Sequence, residues 1–143
     1  LVVARASDVP KIIDDNSFVG VSSSVNVATS GTVSKAILVF GAISHANDAH
    51  IDATLISPSA TTIDVSSDNG GTGDDYVSTV FDDAAAVAIT VGVSPFRGRF
   101  RPEAALSAFN NQSALGTWTL NIVDDSATDT GVLGGWTLAL CVQ

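Results

Sequence analysis

Residues 116–140 read GTWTLNIVDDSATDTGVLGGWTLAL, with Trp-Thr-Leu written on both sides of a short acidic loop. In Trp118-Thr119-Leu120-Asn121-Ile122 the apolar residues fall at every second position, and Trp136-Thr137-Leu138-Ala139-Leu140 repeats the arrangement. Successive side chains of a strand point to opposite faces, so this alternation describes strands with one buried face. The segment between them carries Asp, Ser, Thr and Gly, all turn formers, and Gly134-Gly135 frees the backbone just before the second copy. The stretch predicts two neighbouring antiparallel strands, each sending a Trp and a Leu into one core. Trp118 and Trp136 are core residues on this reading, not binding platforms.

The same signals continue upstream. Residues 21–27 alternate Val with Ser and Asn, and residues 36–44 (AILVFGAIS) are apolar on both faces, as a central strand would be. Residues 51–57 follow, then a turn at Pro58-Ser59-Ala60-Thr61 and a strand over 62–65. SDNGGTGDD at 67–75 is a flexible loop by composition, and residues 77–81 and 86–93 are further strands. Residues 103–112 (EAALSAFNNQ) are the one place where a helix competes, with Ala104, Leu106 and Phe109 on its apolar side; a packed loop is the equal alternative. About eight antiparallel strands with turn signals between them imply an all-β fold, a β-sandwich of the jelly-roll kind. No linker or low-complexity tract divides residues 1–143, which read as one domain.

Composition limits the function. Hydrophobic residues make up 45% of the 143 and charged residues 15%, so the net charge of -9 does not imply disorder. No apolar run approaches the ~18 residues of a membrane span. The opening LVVARA is too short for a signal peptide, so any such peptide has been removed or was never part of this chain. Six Lys and Arg against fifteen Asp and Glu argue against nucleic acid as a partner. Glu103 is the only glutamate, and the aspartate bias suits turns rather than helices. The single cysteine, Cys141, excludes an internal disulfide and reads as a small, part-buried hydrophobe.

Catalytic motifs are scarce. His45 and His50 flank the loop HANDAH, but no serine sits in a G-x-S-x-G elbow, and neither H-E-x-x-H nor a second cysteine supports zinc. Carboxylates are the better lead. They gather as Asp48 with Asp52, Asp74-Asp75, Asp82-Asp83, and Asp124-Asp125 with Asp129. Calcium takes six to eight oxygen ligands, often closely spaced Asp in loops, so these nine residues are the candidate calcium ligands. The competing reading is a set of solvated acidic loops. RGRFR at 97–101 holds half of the positive charge; it could face an acidic partner, though balancing nearby aspartates is the simpler role. Asn111-Gln112-Ser113 has the form of a glycosylation sequon.

Several of these residues together resemble the P domain (P/Homo B domain) that follows the subtilisin-like catalytic domain in kexin- and furin-type proprotein convertases and in bacterial secreted proteases. The family's His, alternating strand and S-P-S-G-T are matched by His45 and Ile51-Asp-Ala-Thr-Leu-Ile-Ser-Pro-Ser-Ala-Thr61. Its F-D-D is matched by Phe81-Asp82-Asp83, and its F-x-G motif with P-E by residues 96–109, FRGRFRPEAALSAF. Its closing G-x-W-x-L and W-x-L strands are matched by residues 116–138, and the likeness runs from about Asp14 to the C-terminus. The chain departs from the pattern at Ala60 and Asn111, where glycine is usual, and at Ala49-His50 in place of Gly-Asp. The resemblance implies a non-catalytic accessory domain of a secreted, bacterial subtilisin-like serine protease. It would dock on the catalytic domain of the same chain, stabilise it, and influence its calcium and pH dependence. The alternative is a substrate- or surface-binding module on another secreted protein, for which Tyr76 in the acidic loop would be the aromatic contact.

Overall fold

A computed structural model describes residues 1–143 and shows eleven strands in two sheets packed face to face. The strands are β1 (Val2–Arg5), β2 (Lys11–Ile13), β3 (Ser17–Val27), β4 (Val33–Ser44), β5 (Ile51–Ile56), β6 (Thr62–Ser67), β7 (Tyr76–Phe81), β8 (Val87–Ala88), β9 (Phe96–Arg101), β10 (Gly116–Asp124) and β11 (Gly131–Val142). The larger, seven-stranded sheet runs β1-β11-β4-β7-β9-β8, with β2 also paired to β11; the smaller, four-stranded sheet runs β3-β10-β5-β6. Pairing is antiparallel except where β9 runs parallel to β7 and β8. The all-β sandwich is therefore as expected, with more strands than the eight predicted. β1, β2 and β8 are too short for alternation to reveal them. Residues 86–93 keep only two strand residues before a 3-10 turn at Ile89–Val91, which drops Ile89 into the core.

The two Trp-Thr-Leu copies are not hydrogen-bonded neighbours. β10 lies between β3 and β5 in the smaller sheet, and β11 between β4 and the β1/β2 edge in the larger one. The acidic loop between them crosses from sheet to sheet, a step of about 10 Å. Alternation fixes which face of each strand is buried, not which strand lies beside it. The expected common core survives this correction, because Trp118 and Trp136 enter it from opposite sheets at 0% and 2% exposure. Their indole N–H groups are satisfied locally, Trp118 donating to the Ala114 carbonyl at 3.0 Å and Trp136 to Ser23 Oγ at 2.7 Å. Phe109 meets Trp118 edge-to-face at 5.0 Å, a contact worth about 0.5–1.5 kcal/mol beyond its buried area.

Residues 103–112 resolve into a 3-10 turn at Leu106–Phe109 with both of those residues buried. Asp83 fixes it in place, its carboxylate accepting the Leu106 and Ser107 N–H groups at 2.8 Å each. β4 is central as expected, but it is not buried on both faces. Leu38, Phe40 and Ile43 point inward, whereas Ile37 and Val39 face outward and are only half-buried.

Candidate functional site

One end of the sandwich collects both histidines and most of the candidate carboxylates. His45 follows β4 directly, and Asp124 ends β10 in the opposite sheet. His45 Nε2 lies 2.9 Å from Asp124 Oδ2, with neither side chain exposed. A carboxylate at Nε2 requires a proton on that nitrogen. The neutral ring then accepts the Asn47 N–H at Nδ1 (3.2 Å), while the protonated ring donates to the Asn47 carbonyl at 2.8 Å. The other Asp124 oxygen accepts the Ser126 N–H at 3.1 Å, so this carboxylate is fully used inside the protein.

Asp48 lies in the adjoining 3-10 turn Asp48–His50 and is completely buried. Its oxygens accept the Asp75 N–H at 3.0 Å and the Ser94 hydroxyl. Burial outweighs these bonds and pushes its pKa up to about 6. The turn is packed from outside by Gly70 at φ +95°, where a Cβ would fall 2.8 Å from the Asp48 Cβ and 2.7 Å from the Phe96 ring. Asp75 accepts the His45 N–H at 3.0 Å. Asp129 accepts from the Asn47 side chain and lies 3.4 Å from His50 Nδ1.

Asp52, on β5, differs from these. Its Oδ1 is shut away from solvent without a hydrogen bond. Partial burial, then the charges of Asp68 and Asp125, hold its carboxyl above the usual range. Asp64 on β6 is raised as well, by burial and then by Glu103 and Asp68. Asp68 is the residue that sequence spacing missed. It belongs to the loop after β6 and meets Asp52 only through the β5–β6 pairing.

The remaining candidates are elsewhere. Asp74 is exposed in its loop without a side-chain partner. Asp82 is buried beside Lys35 (3.0 Å) and Arg99, and it accepts the Ala84 N–H at 2.9 Å. Burial would raise its pKa, but the Ala84 amide, Arg99 and Lys35 together lower it to about 2. Asp83 serves the 3-10 turn already described. The nine carboxylates thus form no single site, and no three acidic, histidine or cysteine side chains converge as a metal cage. No serine or threonine hydroxyl, and no sulfur, lies within hydrogen-bond reach of either imidazole.

Tyr76 corrects an expectation. It opens β7 fully buried, stacked on Phe96 at 4.8 Å, with its hydroxyl 3.1 Å from Ser66 Oγ. It cannot stack on a ligand from solvent, and Phe18, 74% exposed, is the aromatic that faces water.

Fold and site together define a β-sandwich module in which the histidines and acids hold loops and sheets together and face no nucleophile. The chain belongs to the proprotein convertase P-domain family, whose model matches residues 34–140. P domains are accessory domains of proteases and are not themselves catalytic. The chain also resembles the solved serine protease of Aeromonas sobria at 19% identity and a TM-score of 0.64, covering 100% of this chain and 27% of that one. The structure of the Aeromonas sobria serine protease with its chaperone is similar at 20% identity and a TM-score of 0.65, covering 98% of this chain and 26% of that one. This chain therefore spans about a quarter of the proteases whose fold it shares. No curated protein matches it.

Proposed function

We propose that the chain is the non-catalytic accessory domain of a secreted, bacterial subtilisin-like serine protease, and that it acts by docking on the catalytic domain and stabilising it. The observation that carries this reading is the fold: the whole chain is matched by 27% of a solved serine protease. An interface present only when both domains are folded stabilises each by its binding free energy. The test compares the full-length polypeptide with a form lacking residues 1–143. Loss of this domain is expected to lower the temperature of half-inactivation of the protease. Equal inactivation temperatures, or a full-length polypeptide without a protease domain, would overturn the reading.

Calcium forms part of the same proposal, anchored at Asp52; Asp68 and Asp125 are near enough to act on its charge but stand apart from it in the fold and would have to close in on the ion. The orphaned Asp52 oxygen and the mutual repulsion of these carboxylates suit a hard divalent cation, which would supply the missing partner and neutralise the repulsion. Titration calorimetry with calcium on chelator-treated protein is expected to give a heat signal and a raised Tm, both abolished by Asp52→Asn. Absence of heat and of a Tm change in the native protein would count against calcium here.

A further inference from the structure

We infer that the outer face of the seven-stranded sheet is a docking surface, and that its occupant is the catalytic domain, presenting an apolar patch bordered by acids. This rests on the accessory-domain reading and names the surface that such docking uses.

The two outer faces of the sandwich are chemically unlike. On the smaller sheet, register places Ser24 beside Thr119, Ser22 beside Asn121, and Asn26 beside Thr117; Ile56 and Val123, with the exposed Phe18 and Val19 at the start of β3, are the exceptions to a polar surface. On the larger sheet, Val3 lies beside Ala139 and Ile37, and Val39 beside Val80. Ile12 and Val132 pair at the same edge with 66% and 40% of their surface exposed, and Val3 is 52% exposed. A sandwich needs only its inner faces apolar, and outward strand positions are ordinarily polar. Across four adjacent strands, half-buried or exposed valine, isoleucine and alanine point outward, interrupted by Thr137, and form the kind of patch that marks an interaction surface.

Charge points to the partner. All six Lys and Arg of the chain lie in strands of the larger sheet: Arg5 in β1, Lys11 in β2, Lys35 in β4, and Arg97, Arg99 and Arg101 in β9. Those strands contain no Asp or Glu, whereas the smaller sheet carries Asp52, Asp64 and Asp124 and no cation. Lys11 turns aside to Asp8 and the Ser22 carbonyl. The other five cations are exposed and border the apolar rows, so a chain of net charge -9 has one electropositive face. Only Asp82 answers them, between Lys35 and Arg99. Complementary charge fits an acid-bordered partner, whereas two copies meeting face to face would oppose five cations to five.

Cys141 provides a probe that needs no substitution. It pairs with Lys35 on this face and is partly exposed. In the full-length polypeptide, alkylation of Cys141 by iodoacetamide, followed by peptide mass spectrometry, is expected to be at least tenfold slower than in the 143-residue chain. The pair Val39→Asp/Val80→Asp is expected to restore labelling and lower the inactivation temperature, while Thr117→Asp/Thr119→Asp on the opposite sheet changes neither. Labelling at the same rate in both forms, with a protease domain present, would sink the docking surface and leave the accessory role standing. Protection in the isolated chain that increases with its concentration would assign the face to a second copy. Protection by phosphatidylglycerol vesicles alone would assign it to a membrane. Either result overturns the inference.

Discussion

His45 Nε2 and Asp124 Oδ2 meet at 2.9 Å across 79 residues of chain, joining the end of β4 in one sheet to the end of β10 in the other. The pair staples the sandwich at its acidic end, and neither group has water to fall back on. Removing one partner of a buried pair leaves the other uncompensated, which typically costs about 3–5 kcal/mol. His45→Leu and Asp124→Leu are each expected to lose roughly that much in urea unfolding. The double variant should lose less than the sum, because no buried charge is left unpaired. Strict additivity in that double-mutant cycle would show the two groups to be uncoupled.

Asp48 and Asp82 oppose each other in their dependence on pH. The buried Asp48 carboxyl titrates near 6 in the fold against 3.8 as its ordinary value. Between those values the folded state binds the extra proton, so stability present below pH 3.8 is lost as pH rises through 6. Asp82 is lowered to about 2, so its contribution is present above pH 3.8 and is lost as pH falls through 2. The two groups together place a stability maximum near pH 4. Asp48→Asn is expected to flatten the decline above that pH, and Asp82→Asn to flatten the rise below it. Thermal midpoints from pH 2 to 8 test both, and an unchanged profile in either variant would refute the assignment to that residue.

Period-2 alternation revealed the long strands and both tryptophans, because each strand reports its own buried face. It could not reveal which sheet a strand joins, and the Trp-Thr-Leu repeat was misleading there: two matching strands look like a hairpin whether they pair or face each other. The carboxylate clusters were legible as composition but not as sites. Adjacent aspartates such as Asp82 and Asp83 go to different tasks, one facing Lys35 and Arg99 and the other capping a 3-10 turn. Asp52 and Asp68, sixteen positions apart, approach only once β5 and β6 pair. The segregation of all six cations onto one sheet needs the topology, because nothing local says that β1, β4 and β9 share a face.

Asp83 should behave as a cap rather than as a ligand. It satisfies two backbone donors at the start of Leu106–Phe109, the turn that seats Leu106 and Phe109 in the core. Asp83→Ala is expected to cost about 1–2 kcal/mol in denaturant unfolding, and Asp83→Asn less. If the alanine variant were destabilised only when calcium is present, the carboxylate would instead belong to a metal site.

Ala60 holds a left-handed backbone, φ +62°, in the exposed turn that joins β5 to β6. Its own N–H reaches the Ser57 carbonyl at 2.9 Å, and the Thr61 carbonyl accepts the Ser57 N–H at 2.9 Å, so the turn is tightly closed and the angle cannot relax. An L-residue with a Cβ pays about 1–2 kcal/mol there, and glycine gives back about half of that gain through its freer unfolded chain. Ala60→Gly is therefore expected to stabilise the domain by about 0.5–1 kcal/mol, raising Tm by roughly 2–4 °C. Asn111 has a similar φ of +65°, but asparagine tolerates that region, so Asn111→Gly should stay within about 0.5 kcal/mol of the parent. A loss of stability in Ala60→Gly would mean that its methyl group makes a contact worth more than the backbone strain.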